Sequence, residues 1–251
     1  MRRATPAALA LLALTLAGCE TTAQKSARLE RAAKQQAKTA AQNAPAWHGV
    51  PTDRQSTRVR VLTTSVLHSS EGDAVVLALR NVSATSLRDV PVEITVSDAK
   101  GARLYTNNVP GLATALVSAP LLRAHSTTVW IDDQIDAAGA PASVSAKIGE
   151  GAPTRATIPT LSVERAHLSD DGGGAVEGAV VNHSAAVQRE VVLNALARRN
   201  GKIVAAGRAL VAQAAGGGAP THFQLYLIGD PAGARLELSA SPKLSEPGDG
   251  A

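Results

Sequence analysis

Few residues in this 251-residue chain can do covalent or metal chemistry. There is one cysteine, Cys19, and there are six histidines: His48, His68, His125, His167, His183 and His222. A thiolate can serve as a nucleophile or soft metal ligand, and an imidazole as a base or ligand. No HExxH or HxH pair occurs, and no carboxylate stands at ligand spacing to a histidine. A zinc site would therefore need long-range convergence. Asp170-Asp171, followed by three glycines, suggests calcium at first sight. Calcium wants several spaced oxygens and a bidentate acid, and Glu177 is the one nearby candidate. The expectation is a flexible acidic hairpin tip. Asp132-Asp133 are likewise expected to cap a strand end or stand in solvent. No GxSxG elbow appears, and the glycine clusters lack the lysine of a phosphate loop. A Ser-His-Asp set could assemble across a fold, but nothing in the sequence points to one. These residues predict a protein that is not an enzyme, with no cofactor and no metal. The chemistry they leave belongs to Cys19.

Cys19 has an informative neighbourhood. Arg2 and Arg3 form a short positive segment, and Ala7 to Leu16 form an apolar run with only Thr15 polar. The run is too short to span a bilayer, which needs about 20 apolar residues, and it fits a cleaved leader over residues 1–18. Leu16-Ala17-Gly18-Cys19 resembles a bacterial lipobox. The resemblance implies that signal peptidase reads Leu16, Ala17 and Gly18. It also implies that the Cys19 thiol takes a diacylglyceryl group and that cleavage precedes Cys19. Each buried methylene contributes roughly 0.8 kcal/mol, so two or three palmitate-like chains would hold the protein firmly in a membrane. The expected address is the bacterial cell envelope, on the extracytoplasmic face. Glu20 stands where an Asp would resemble an inner-membrane retention signal. The outer membrane is thus favoured if the host has two membranes, and the cell membrane otherwise.

Charge is unevenly placed. Residues 20 to 60 carry eight Lys/Arg and three acids, net +5, whereas residues 61 to 251 carry fifteen and eighteen, net −3. The basic balance therefore sits beside the expected anchor, facing anionic lipid rather than nucleic acid. Thr21 to Asn43 is rich in Ala, Lys, Arg and Gln and has no Gly or Pro, which favours helix. Its apolar content is almost all alanine, too small for a coiled-coil seam. Residues 19–57 are expected to be a lipidated, basic stalk, helical or disordered, ending in a linker with Pro45, Pro51 and Trp47. Trp47 has two open readings: docked on a domain, or lying in the lipid interface.

From Arg58 onward the pattern is that of strands. Val90, Val92, Ile94 and Val96 alternate with Pro91, Glu93, Thr95 and Ser97, the period of a half-buried strand. The order then repeats. Asn81, which ends one strand, matches Asn182, 101 residues later, and the turn glycines Gly101 and Gly201 match at 100. The triplets Asn81-Val82-Ser83 and Asn182-His183-Ser184 fit a glycosylation pattern. Their repeated position predicts a turn role instead. Late strands also correspond: Thr128 to Ile131 matches Phe223 to Leu227. Short strands at turn spacings of eight to twelve residues predict an all-β fold of two tandem antiparallel β-sandwich domains. The expected bounds are residues 58–152 and 158–243, joined by a stiff link between Pro153 and Pro159, with residues 244–251 a disordered tail.

The second of these domains resembles the FxLYM family of bacterial immunoglobulin-like domains. The resemblance rests on Gly178 to Asn182 with Ser184, the Asn200-Gly201 turn, and Phe223, Leu225 and Tyr226 of the name motif. Leu227 departs from the motif, which has Met there. The first domain matches more loosely, with Trp130 expected at the Tyr226 position. The resemblance implies immunoglobulin-like, extracytoplasmic modules and brings no chemistry with it. The function expected is that of a non-enzymatic binding, scaffold or adhesion lipoprotein of the envelope. Its partners would be the membrane, through the lipid on Cys19, and an envelope protein. The alternative is a lipoprotein that binds a small ligand or metal in the interdomain cleft.

Overall fold

Alternating, β-branched segments have little freedom to become anything but strands, because the branched side chains pack well on a pleated surface. The computed structural model describes residues 47–169 and 174–244. Leu16 to Cys19, the stalk to Ala46, Asp170 to Gly173 and the tail from Ser245 lie outside the described residues. The body is all-β, with antiparallel ladders throughout.

The first half contains β1 (Val59–Ser69), β2 (Gly72–Asn81), β3 (Ser86–Ser97), β4 (Arg103–Thr106), β5 (Ser118–Leu122), β6 (Thr127–Ile135), β7 (Ser143–Ile148) and β8 (Ala152–Thr154). One sheet runs β1-β2-β6. The other is built on β3, whose first residues pair with β5 and β8 and whose last pair with β4 and β7. A single helical turn, α1 (Thr114–Val117), precedes β5. The second half contains β9 (Leu161–Leu168), β10 (Ala175–Asn182), β11 (Gln188–Arg199), β12 (Lys202–Ala214), β13 (Pro220–Tyr226), β14 (Ile228–Gly229) and β15 (Arg235–Ser241). Its sheets run β13-β10-β9 and β14-β12-β11-β15.

Each half buries side chains from its two sheets against each other, as a β-sandwich does. In the first, Leu77 and Leu79 of β2 meet Val90, Val92 and Ile94 of β3, with Trp130 and Ile148. In the second, Val176 and Val180 of β10 meet Leu193 and Ala195 of β11, with Phe223 and Leu225. With almost no aromatic residues, these cores depend on many Val, Leu and Ala contacts rather than a few large ones.

The repeat extends to individual atoms. Asn81 is fully buried; its Nδ2 donates to the carbonyls of Thr85 and Leu122, and its Oδ1 accepts from Ser83 N and Oγ. Asn182 is fully buried too. Its Nδ2 donates to Ala186 and Ala214, and its Oδ1 accepts from Ser184 N and Oγ. Each asparagine satisfies main-chain groups where the chain leaves one sheet for the other, a place where the ladder cannot do so. The matching turns after β3 and β11 place Gly101 and Gly201 at φ 84° and 78°, which suits glycine. Asp89 and Glu190, also 101 apart, both stand at φ 50° and interrupt the ladders of β3 and β11 at corresponding points.

The linkers are shorter than expected. Pro153 belongs to β8, so the connection between halves narrows to residues 155–160, pinned by Arg123 Nη2 donating to Pro159 O at 3.1 Å. Before β1, Val50 and Thr52 are already buried, and Thr52 Oγ1 donates to Glu93 Oε2. Trp47 remains 43% exposed.

Alanine at Asn81 or Asn182 should strand one buried carbonyl, that of Leu122 or Ala214, and cost about 1–3 kcal/mol each. Urea unfolding checks this. Both losses should be of similar size because both asparagines make the same bonds, and a loss under about 0.5 kcal/mol at either would contradict the shared role.

Candidate functional site

The unusual chemistry of this body lies along the seam between its halves. Strand β6 supplies it by alternation. Trp130 and Asp132 point into the first core, while Val129, Ile131 and Asp133 point toward the second half. A third apolar cluster fills the seam, with Val76 and Ile131 from the first half and Leu196 and Ala206 from the second. Leu67, Val129 and Ile203 pack around it. Strands β2 and β11 are therefore apolar on both faces: Val75 and Leu77 face their own core, Val76 faces the seam.

Polar groups frame the cluster. Asn194 Nδ2 donates to Val129 O at 3.2 Å across the seam. Asp133 Oδ2 accepts the backbone N–H of Arg208 at 2.7 Å, and its Oδ1 stands 3.7 Å from Arg208 Nε. Among the described residues, the buried side-chain polar atoms without a hydrogen-bond partner are Asp133 Oδ1, Asn194 Oδ1 and Arg208 Nε. All three belong to this one place. Burial pushes the Asp133 carboxyl up from its ordinary range, against the pull of Arg208.

Asp132 is fully buried in the first core, not capping a strand or standing in solvent as expected. Tyr105 Oη donates to its Oδ2 at 3.0 Å and Gln134 N to its Oδ1 at 3.0 Å. Burial raises the Asp132 carboxyl to about 6, and the Tyr105 hydroxyl is pushed up by its own burial and by the adjacent carboxylate. Register explains why an acid is there. Val75 pairs with Asp132, and the equivalent Val176 pairs with Leu225. Asp132 thus occupies a position that holds a core leucine in the second half.

The same register corrects the expected place of Trp130. Leu77 pairs with Trp130 and Gly178 with Phe223, so Trp130 corresponds to Phe223 and not to Tyr226. The aromatic ring has a different neighbour in each half. A Cβ on Gly178 would come within 3.0 Å of Phe223 Cζ, so the second half gains its aromatic by giving up a side chain opposite. Of the motif residues, Phe223 and Leu225 are in the second core, while Tyr226 is 62% exposed.

The histidines are dispersed. His68 Nδ1 lies 2.6 Å from Asp73 Oδ1 across the β1–β2 hairpin, a pairing that linear spacing does not reveal. His183 Nε2 contacts Ser162 Oγ, and His167 Nδ1 contacts Arg165 O. Among the described residues, no three of His, Cys, Asp or Glu gather closely enough to hold a metal ion. No helix among them is long and apolar enough to cross a membrane.

Beside the seam lies a cavity of about 240 Å³, lined in part by Thr114, Ser118, Val192, Arg208 and Leu210. It shares Asp89, Glu190 and Lys243 with a wider cleft of about 660 Å³ between the halves. In comparisons with known proteins, the chain matches no family model and no curated relative.

The raised carboxyls carry a sign. Asp132 binds its proton more tightly folded than unfolded, so the folded state holds more protons between its ordinary value of 3.8 and about 6. Stability should fall as pH rises through that window, by up to about 3 kcal/mol, and then level off. Denaturant unfolding from pH 4 to 7 measures it. Asp132→Asn should flatten most of the slope, and a variant that keeps the full slope would assign it elsewhere.

Proposed function

We propose that the chain is a membrane-anchored lipoprotein of the bacterial envelope, fastened through Cys19, that works by binding or scaffolding rather than by catalysis. On this reading its body consists of two immunoglobulin-like modules of the FxLYM type, one presenting the Phe223–Leu225–Tyr226 signature and the other its variant. The observation that carries the reading is the order of parts: a leader, a lone cysteine after small residues, a basic spacer, then an all-β body. The body needs no disulfide, since its cores and buried asparagines supply the cohesion. The seam joins the halves into a single compact unit from Trp47 onward, which suits a module that presents a surface rather than a hinge that closes on substrate. Exposed Val187, Leu210 and Tyr226 give that surface apolar points of contact. The cavity beside the seam favours a second reading, in which the body also holds a small ligand.

The anchor is tested by Cys19→Ala in cells of a lipoprotein-processing bacterium. The variant should leave the membrane fraction or accumulate with its leader uncleaved. A cleaved Cys19→Ala form retained on membranes as fully as the wild type would overturn the proposal.

A further inference from the structure

The edge of a sheet carries unpaired N–H and C=O groups that template another strand, so edges are normally blunted. Most edges of this body are. β4, β5, β8 and β14 are five residues long or shorter. β7 and β15 carry charges at Lys147 and Glu237. β9 is bulged at Arg165, and β13 opens on Pro220. The end of β6 is tied to the second half through Asp133.

β1 is the exception. It is the longest of the edge strands, with eleven residues, and among the described residues its ladder partner is β2 alone. Its bulge falls at Leu62. From Thr63 to Ser69 the register with β2 is unbroken, and no Lys, Arg, Asp or Glu interrupts it. Ser69 and Gly72 close a two-residue turn as a hydrogen-bonded pair, so Thr64, Val66 and His68 aim their N–H and C=O groups away from β2. Exposure marks the open side. Thr64 is exposed although its ladder partner Leu77 is fully buried, and Leu62 is half exposed. On the opposite face Leu67 packs on the seam cluster and holds the strand in place.

Charge selects what pairs with this edge. Arg60 and Arg80 are ladder partners, both exposed, and like charges placed directly opposite repel. They mark the start of β1, whereas the exposed Glu71 marks the hairpin tip at its end. A second β1 laid antiparallel about a two-fold axis sets each tip beside the other copy's start. Glu71 of each copy then meets Arg60 and Arg80 of the other. Between those ends, uncharged residues meet uncharged residues.

We propose that two copies of this chain associate edge to edge through β1, antiparallel, joining their β1-β2-β6 sheets into one six-stranded sheet. The pairing goes beyond the anchoring role and does not depend on it, since the edge belongs to the body and not to Cys19.

Sedimentation equilibrium of the full-length chain in a density-matched non-ionic detergent tests it, together with amide hydrogen exchange. The wild type should dimerise with a dissociation constant on the order of 10 µM, since strand pairing alone makes a small interface. Exchange across β1 should slow as the concentration rises. Thr64→Lys places a charge at the exposed centre of the edge and should weaken the dimer at least about tenfold, with the melting temperature near that of the wild type. Arg60→Glu separates pairing from folding. It relieves the repulsion with Arg80, so the dilute chain should melt no lower, yet it sets an acid beside the other copy's Glu71 and should weaken the dimer. Adding Glu71→Arg should restore it. The proposal is overturned if the wild type stays monomeric up to about 0.2 mM, or if either single variant dimerises as tightly as the wild type.

Discussion

The rest of the body depends on one constraint, the burial of strands on both faces at the seam. A lone sandwich of this size, poor in aromatics, would have to leave the outer face of β2 or β11 to water. Here Val76 and Ile131 meet Leu196 and Ala206, and neither face is wasted. Burying a side chain of this kind contributes about 1.5–3 kcal/mol. Four central residues with three flanking ones therefore outweigh the polar cost of Asp133, Asn194 and Arg208, whose unfilled atoms sit at the same boundary. The two halves are consequently one body, although each has its own core.

Duplication explains much of the local structure and also its asymmetry. Both copies keep the elements that solve a backbone problem: the buried asparagines, the turn glycines, and the left-handed residues Asp89 and Glu190. They diverge where a side chain only has to fill space. Leu77 with Trp130 in one half becomes Gly178 with Phe223 in the other. At the next inward position Leu225 becomes Asp132, and the first half needs the Tyr105 hydroxyl to accommodate it. Polar groups concentrate in the first copy and at the seam, where the two copies are no longer equivalent.

Much of this was legible in the residues. Period-two alternation marked β3, and the matched spacing of Asn81 with Asn182 and Gly101 with Gly201 marked the repeat. What escaped was set by the third dimension. The unbroken run Val75-Val76-Leu77 carried the signal of a doubly buried strand, but what covers the second face is another part of the chain. Asp132 read as polar and therefore outward, because only register shows that it replaces a core leucine. Trp130 reads as the counterpart of Tyr226, and only its ladder partner Leu77, equivalent to Gly178, shows that it stands at the Phe223 position. The cavity beside the seam had no linear signature, since its walls come from α1, β5, β11 and β12.

The central claim is that the seam makes the halves one cooperative unit. Trp130 lies in the core of the first half and the exposed Trp47 precedes β1, so the change in tryptophan fluorescence follows the first half, while far-ultraviolet circular dichroism follows both. Urea unfolding of the full chain should give coincident curves by the two probes, and Leu196→Asp, which places a charge in the seam, should separate them. Two distinct transitions already in the wild-type chain, or coincident ones in Leu196→Asp, would contradict it.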